Sequence, residues 1–234
     1  MRLLLISNST NAGEDYLDYP KFNIKDFLGD KIKKTLFIPY AGVTFSFDDY
    51  VKKVQERFDE IGYIVDPIHR YDNPVEAVKN AEAIVVGGGN TFQLTKMLQD
   101  NGLIEAIREK VINGTPYVGW SAGSNIACPT IKTTNDMPIL EPDSFNVFNL
   151  VPFQINPHYL DANPEGHAGE TREMRLEEFL EVNPDIYVVG LREGTMLKVE
   201  NNTMSLIGKR NARIFKKGQM PKELSPGENF SFLL

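Results

Sequence analysis

Short apolar runs alternate with longer amphipathic segments along the first half of the chain. Continuous apolar runs predict buried strands, whereas apolar residues three and four positions apart predict helices. Residues 47–61 carry a clear helical stripe, with Ser46 available as N-cap and Gly62 as a stop. The predicted strands are 1–7, 34–39, 63–68, 83–86 and 115–120, and the predicted helices are 21–29, 47–61, 73–80, 91–99 and 103–112. This alternation predicts an α/β fold with a mostly parallel sheet and helices on both faces.

The alternation loosens after residue 120. Segments 153–156 and 186–191 predict two more strands, and the amphipathic segment 171–182 predicts a helix between them. Three short β segments, 196–200, 203–207 and 213–216, are separated by turn residues and predict a small antiparallel addition near the C-terminus. At 234 residues the chain is long enough for a well-buried core, and we expect residues 1–234 to form a single domain.

Charge and cysteine content narrow the functional classes. A formal net charge of −7, without a cluster of basic and aromatic residues, argues against nucleic-acid binding. The single cysteine, Cys128, excludes an intramolecular disulfide, and no Cys/His spacing resembles a zinc site, so we expect no metal and no cofactor. The apolar start is too short for a signal peptide, and no segment has the length of a membrane span. We therefore expect a cytoplasmic protein without membrane partners, present as a monomer or weak homodimer.

The stretch Gly119-Trp120-Ser121-Ala122-Gly123 fits a Gly-x-Ser-x-Gly nucleophile elbow. It follows the apolar strand 115–120 and precedes small residues that can begin a helix. Glycine is needed two residues before and after the serine because side chains there would collide in the sharp turn. The turn exposes the Ser121 hydroxyl and leaves the Ala122 N–H free to help bind an oxyanion. An ordinary glycine-containing turn is the alternative.

A serine nucleophile needs a base, and histidine is the usual one near neutral pH. His158 lies just past an apolar strand, where open α/β sheets present ligand sites, and is therefore preferred. His167 lies in a glycine-containing loop, and for His69 a solvated or capping role is expected.

The histidine in turn needs an acid to orient it and to stabilise its charged form. Glu193 directly follows a buried strand, whereas Asp136 and Asp161 lie in loops. The sequence alone leaves Glu193 and Asp136 as close alternatives.

The run Gly87-Gly88-Gly89-Asn90-Thr91 allows two functions. A glycine loop between strand and helix can hold a phosphate, but neither Gly-x-Gly-x-x-Gly nor a Walker A pattern is present, which disfavours nucleotide binding. Beside the elbow, the same loop could supply the second oxyanion donor. A plain tight turn remains the third possibility.

Several segments together resemble the peptidase E family of α-aspartyl dipeptidases, which is serine peptidase family S51. The matching segments are 3–10, 37–44, 48–50, 86–94, 119–129, 133–138, 154–158 and 164–173. They occur in order over residues 3 to 195, whereas the last forty or so residues match weakly. The resemblance implies a fold like that of class I glutamine amidotransferases. It also implies metal-independent hydrolysis of dipeptides, and some tripeptides, that begin with aspartate.

Carried over by position, the resemblance makes Ser121 the nucleophile, His158 the base and Glu193 the orienting acid. Beside Glu193 the chain departs from the family pattern, because Arg192 stands where proline is expected.

The resemblance also assigns parts of the substrate site. It adds Gly88 or Gly89 to Ala122 as the oxyanion hole. It gives Arg172 the role of meeting the substrate's aspartyl carboxylate, which suits a planar guanidinium. Asp136 falls in a family motif and would line the site near the substrate's amino group.

Two other functions compete with this assignment. A cyanophycinase-like peptidase would cleave β-aspartyl-arginine units and would need an anionic pocket for arginine. A non-catalytic, amidotransferase-like binding module would not need the serine, histidine and glutamate set. Amidotransferase chemistry itself would require cysteine at position 121, and Cys128 lies outside the elbow.

Overall fold

The computed structural model describes residues 1–163, 165–166 and 168–234. Its strands are β1 (Arg2–Ile6), β2 (Lys34–Ile38), β3 (Ile64–Pro67), β4 (Ile84–Val86), β5 (Tyr117–Trp120), β6 (Gln154–Pro157), β7 (Val188–Leu191), β8 (Thr195–Glu200), β9 (Thr203–Gly208), β10 (Ala212–Phe215) and β11 (Lys222–Leu224). Its α-helices are α1 (Lys21–Leu28), α2 (Phe47–Asp59), α3 (Pro74–Asn80), α4 (Thr91–Asp100), α5 (Leu103–Ile112), α6 (Ala122–Asn125) and α7 (Arg172–Val182).

A seven-stranded sheet in the order β3-β2-β4-β5-β1-β8-β9 forms the centre of the structure. Its first five strands are parallel, and β8 and β9 extend it as an antiparallel hairpin. The carboxyl ends of β1, β4 and β5 therefore meet at one edge of the sheet, the edge at which open α/β sheets carry ligand sites.

Helices cover both faces of this sheet. Along β1, Leu3 and Leu5 pack into a cluster with α3, α4 and α5, whereas Leu4 and Ile6 pack into the opposite cluster with α1 and α2. All four side chains are fully buried, which explains why β1 is a continuous apolar run rather than an alternating one. The mostly parallel α/β fold predicted from the sequence is confirmed.

A second sheet of four strands, in the order β11-β10-β7-β6, was not predicted. Strands β6 and β7 are parallel, and β10 and β11 continue the sheet in antiparallel pairing. The predicted C-terminal strands are antiparallel as expected, but they divide between the two sheets, because β8 and β9 join the large sheet and β10 joins the second one. Strand β11 was missed; its sequence, Lys-Glu-Leu, lacks both an apolar run and β-branched residues.

The outer edge of β6 is buried and is bonded by side chains from the segment that follows the elbow. Asn125 Nδ2 donates to the Ile155 carbonyl at 2.8 Å, and Thr133 Oγ1 donates to the same oxygen at 2.9 Å. These contacts satisfy a backbone carbonyl that β6 would otherwise leave unpaired. They also fix the end of β6 close to the end of β5.

In the part of the chain that the structure describes, no helix combines the length and apolar character needed to cross a membrane.

Candidate active site

The turn between β5 and α6 has the backbone geometry of a nucleophile elbow. Ser121 has φ 53° and ψ −111°, a conformation that costs a non-glycine residue about 1–3 kcal/mol. A Cβ on Gly119 would lie 2.3 Å from the Gly123 carbonyl oxygen, and a Cβ on Gly123 would lie 2.3 Å from that of Val86. The turn therefore requires glycine at both positions, for the steric reason that the sequence pattern indicated.

Hydrogen bonds hold this strained turn in place. The Ser121 N–H donates to the Ile6 carbonyl at 3.0 Å, and the Tyr117 hydroxyl donates to that of Gly123 at 2.5 Å. Ser124 Oγ is fully buried and lies 2.7 Å from the Ile6 carbonyl oxygen and 2.8 Å from that of Gly119. The elbow is thus anchored to both β1 and its own strand.

Ser121, His158 and Glu193 form one hydrogen-bonded relay. Ser121 Oγ lies 2.9 Å from His158 Nε2, and His158 Nδ1 lies 2.7 Å from Glu193 Oε1. Because an ionised carboxylate only accepts, we assign the imidazole proton to Nδ1, which leaves Nε2 free to accept the serine proton. The three residues follow β5, β6 and β7, so both sheets contribute to the relay.

Buried polar residues at the end of β1 connect the two sheets at this point. Ser7 Oγ accepts the His158 N–H at 3.0 Å and donates to the Leu191 carbonyl at 2.7 Å. Asn8 Oδ1 accepts the Gly194 N–H at 2.8 Å. Ser7 therefore stabilises the turn that carries His158, and Asn8 stabilises the turn that carries Glu193. Sequence reasoning missed both roles, for which the signal was a pair of polar residues directly after a buried strand.

Arg192, the residue before Glu193, also stabilises this turn. Its guanidinium pairs with Asp161, in the loop after His158, and with Glu223 of β11, at 2.8 Å. Arg192, which stands where the family pattern has proline, thus links the turn after β7 to the loop after β6 through its ion pair with Asp161.

Among the described residues, the other acidic and histidine candidates do not contact the Ser121–His158–Glu193 relay. Asp136 Oδ2 accepts hydrogen bonds from the Thr91 N–H at 2.7 Å and the Thr91 hydroxyl at 2.6 Å, at the start of α4. His69 lies 3.0 Å from Asp48, away from Ser121. His167 lies outside the described residues. Of the two acids left open by the sequence, Glu193 is the one in contact with His158.

The glycine loop after β4 packs against the elbow. A Cβ on Gly88 would lie 3.0 Å from Ser121 Cβ, and Gly89 has φ 137°, where a Cβ would lie 2.2 Å from the Ala41 carbonyl oxygen. Within the described ranges, the N–H groups of Gly88, Gly89 and Ala122 have no hydrogen-bond acceptor. Three free donors next to a hydroxyl make an arrangement suited to a developing oxyanion.

Tyr50 fixes the orientation of this loop. Its hydroxyl donates to the Gly88 carbonyl at 2.9 Å and accepts from Trp120 Nε1 at 3.2 Å and from the Tyr16 hydroxyl at 3.1 Å. Because C=O and N–H point in opposite directions across a trans peptide, the bond to Gly88 O turns the Gly89 N–H the other way. Burial raises the pKa of Tyr50 to about 12. The sequence showed Tyr50 in the apolar stripe of α2 and in the matching segment 48–50, neither of which indicated this role.

Arg172 is the first residue of α7 and stands at the rim of the site. Its Nη1 donates to Asn135 Oδ1 at 2.6 Å, and Asn135 Nδ2 donates to the carbonyl of Pro157, next to His158. Burial lowers the pKa of Arg172, nearby Arg175 lowers it further, and Asp136 acts in the opposite direction. No carboxylate of the described residues pairs with Arg172. The half-buried guanidinium is therefore available to an anion.

A pocket of about 620 Å³ opens above the relay. It is lined by Ser9, Tyr16, Phe45, Asp49, Tyr50, Lys53, Gly88, Gly89, Trp120, Ser121, Asp136 and His158. Arg172 does not line this space directly and reaches the site through Asn135. Cys128 is buried below the elbow, and burial raises the pKa of its thiol to about 12. No group of three or more His, Cys, Asp or Glu side chains suited to a metal occurs among residues 1–163, 165–166 and 168–234.

The fold and the site together define an α/β protein that presents an elbow serine to a histidine and a glutamate, the arrangement of an acyl-transfer site. Residues 3–207 match the sequence model of peptidase family S51, and the chain belongs to this family.

Named relatives and a solved structure agree with this assignment. A protein from Nostoc sp. named peptidase E is 59% identical over 233 residues, covering 100% of this chain and 96% of the relative. A peptidase E from Salmonella newport is 46% identical over 230 residues, covering 98% and 100%. The crystal structure of a peptidase from an acI-B1 Actinobacterium has a TM-score of 0.72 at 21% identity, covering 99% of this chain and 96% of the other, and supports the fold.

Proposed function

We propose that this peptidase hydrolyses dipeptides, and some tripeptides, with an N-terminal aspartate, through an acyl-enzyme on Ser121. The carrying observation is the relay of Ser121 Oγ, His158 and Glu193, with distances of 2.9 and 2.7 Å. The reaction proposed needs neither metal nor cofactor, and we place it in the cytoplasm.

The proposed chemistry has two halves. Ser121 Oγ attacks the carbonyl carbon of the aspartyl residue while His158 Nε2 takes the hydroxyl proton. His158 then gives this proton to the leaving amine as the C–N bond breaks, which leaves an ester on Ser121. A water molecule, deprotonated by the same nitrogen, attacks the ester, and the serine leaves with the proton. Glu193 keeps Nδ1 protonated and stabilises the imidazolium in both halves.

The negative charge on the carbonyl oxygen would be held by backbone donors. Ala122 N–H follows the nucleophile directly, and the free N–H groups of Gly88 and Gly89 lie across from it. Each such donor is worth about 10²–10³ in kcat where it has been removed in other enzymes. The Tyr50 hydroxyl supports this role by holding the peptide between the two glycines.

We assign substrate selection to two charged residues, Arg172 and Asp136. Arg172 lacks a carboxylate partner among the described residues and is half-buried, so a substrate carboxylate would fill its unused donors. On a chain with net charge −7, such a local cation is needed to attract an acidic substrate. Asp136 lines the pocket above Ser121 and His158 and is proposed to face the substrate's amino group.

The decisive measurement is the hydrolysis of Asp-Leu, with EDTA present, beside Asn-Leu, Glu-Leu and N-acetylated Asp-Leu. We expect the wild type to cleave free Asp-Leu only and Ser121→Ala to cleave none of them. Activity that survives the loss of Ser121 would refute the acyl-enzyme, and equal cleavage of Asn-Leu would refute selection by charge. A β-aspartyl-arginine dipeptide as an additional substrate tests the cyanophycinase-like alternative.

A further inference from the structure

One positive charge in the pocket has no part in the relay or in the contacts of Arg172. Lys53 lies on α2 and lines the same pocket as Ser121 and His158. It is exposed at the mouth of this pocket, whereas Arg172 approaches from α7 and contacts the segment that contains Asn135. The site thus receives two cations from separate elements.

Lys53 has no counter-ion among the residues that the structure describes. Within the described part of the chain, no carboxylate lies within 4.0 Å of its ammonium, although Arg57 on the next turn of α2 pairs with both Asp18 and Glu60. Asp49, one turn earlier and also in the pocket, accepts a hydrogen bond from Ser46 Oγ at 2.6 Å instead. An ammonium without a carboxylate partner in a pocket can bind an anionic ligand.

An aromatic contact keeps this ammonium close to the elbow. Lys53 Nζ lies 4.1 Å from the ring centre of Tyr16, within the range of a cation–π interaction. The Tyr16 ring packs edge-on at 6.4 Å against Trp120, the residue before the nucleophile, and its hydroxyl donates to Tyr50. The charge is therefore held in the pocket of Ser121 by the same aromatic cluster that supports the glycine loop.

We propose that Lys53 binds the free α-carboxylate of the residue that follows the scissile bond. The inference rests on the proposed dipeptidase function and adds a leaving-residue subsite to it. In a dipeptide the carboxylate lies only one residue, about 3.5 Å of extended chain, beyond the bond attacked by Ser121. Lys53 suits such a ligand because a flexible ammonium can meet a carboxylate without the fixed geometry of a guanidinium.

This assignment gives the enzyme a way to measure substrate length by charge. A second residue after the scissile bond moves the carboxylate another 3.5 Å or so away, and amidation removes its charge altogether. Arg172 would then select the aspartyl side chain, and Lys53 would select the end of the peptide.

The test compares Asp-Leu with Asp-Leu amide in wild type, Lys53→Met and Lys53→Arg. For Lys53→Met we expect KM for Asp-Leu to rise by about tenfold, the effect of losing one charge-assisted contact, with little change for the amide. Lys53→Arg should retain most of the preference for the free acid. Lys52→Met is the matched control, because Lys52 is the exposed neighbour on α2 and does not line the pocket.

A binding measurement separates this proposal from the reaction itself. Titration of both peptides into Ser121→Ala, with and without Lys53→Met, reports the preference for the free carboxylate even if wild type hydrolyses neither peptide. A preference of about tenfold that disappears with Lys53→Met supports the subsite. Equal binding of the two peptides to Ser121→Ala would overturn it, as would an equal loss for both peptides in Lys53→Met, which would instead link Lys53 to the aspartyl end.

Discussion

The two halves of the relay are built in different ways. The elbow region, comprising β5, Ser121 and α6, has its own local hydrogen bonds, such as that of the Tyr117 hydroxyl to the Gly123 carbonyl six residues away, beside its bonds to Ile6 of β1. The second-sheet region, comprising β6, β7 and their turns, is held by distant residues. His158 and Glu193 are 35 residues apart, and Ser7 reaches His158 across 151 residues. A local pattern can therefore reveal the first region, whereas the second exists only once both sheets have assembled.

The strongest way to break the second-sheet region is to neutralise its acid. For Glu193→Gln we expect kcat to fall by about 10³-fold, because an amide cannot stabilise the imidazolium and can favour the wrong tautomer. The measurement is steady-state hydrolysis of Asp-Leu, together with thermal unfolding to show that the fold survives.

Asp136→Asn is the matched comparison, since Asp136 was the other acid compatible with the sequence. Asp136 lines the pocket, so we expect KM to rise. Its hydrogen bonds are made to Thr91 at the start of α4 and not to His158, so we expect a much smaller change in kcat. If Asp136→Asn were to lower kcat as far as Glu193→Gln does, the assignment of Glu193 as the acid that orients His158 would be contradicted.

The same division explains how far sequence reasoning reached. Apolar runs and helical stripes revealed the large sheet, and Gly119 and Gly123 revealed the elbow, because strands, helices and sharp turns follow local chemistry. The second sheet was missed because β6 and β7 look like any other buried strands, and only pairing across the chain assigns them to a separate sheet. Likewise, the choice between Glu193 and Asp136 required the end of β7 to be placed beside the end of β6. The resemblance to a family supplied that information, which spacing could not.

Removing the link between the regions should weaken the site without dismantling either half. In Ser7→Ala the His158 N–H and the Leu191 carbonyl lose a shared partner, which costs about 1–3 kcal/mol of unfolding free energy. We expect kcat to fall by about 10- to 100-fold with a smaller change in KM, because misplacement of the base affects the reacting geometry more than binding.

Ser205→Ala provides the control, since Ser205 is an exposed serine on β9. It should leave both kcat and unfolding unchanged. If Ser7→Ala lowers the melting temperature and keeps full kcat, Ser7 serves the fold alone and is not a positioning residue.

The elbow region can be probed through one of its long-range supports, the Tyr50 hydroxyl. Tyr50→Phe keeps the ring that packs at 5.1 Å from Phe37 and removes the bond to the Gly88 carbonyl. We expect about a tenfold loss of kcat with KM nearly unchanged, less than the loss of a whole oxyanion donor, because the Gly89 N–H remains but is less well oriented. Tyr71→Phe, at the far edge of the sheet beside Asp66, is the matched control and should retain wild-type kcat. An equal loss of kcat in Tyr50→Phe and Tyr71→Phe would mean that general destabilisation causes the effect.

The weakest expected effect distinguishes the regions by their response to alkali. Tyr50 has a pKa near 12 in the folded protein and about 10 when unfolded, so above pH 10 the unfolded chain binds fewer protons than the folded one. Stability from this group is therefore fully present below pH 10 and is lost as the pH rises toward 12, by about 2 to 3 kcal/mol in total. Urea unfolding of wild type and Tyr50→Phe at pH 8, 10 and 11 measures this, and the two curves should converge as the pH rises. Parallel curves would mean that burial does not raise the pKa of Tyr50. The contrast between an elbow supported by a buried hydroxyl and a second sheet supported by ion pairs would then be contradicted.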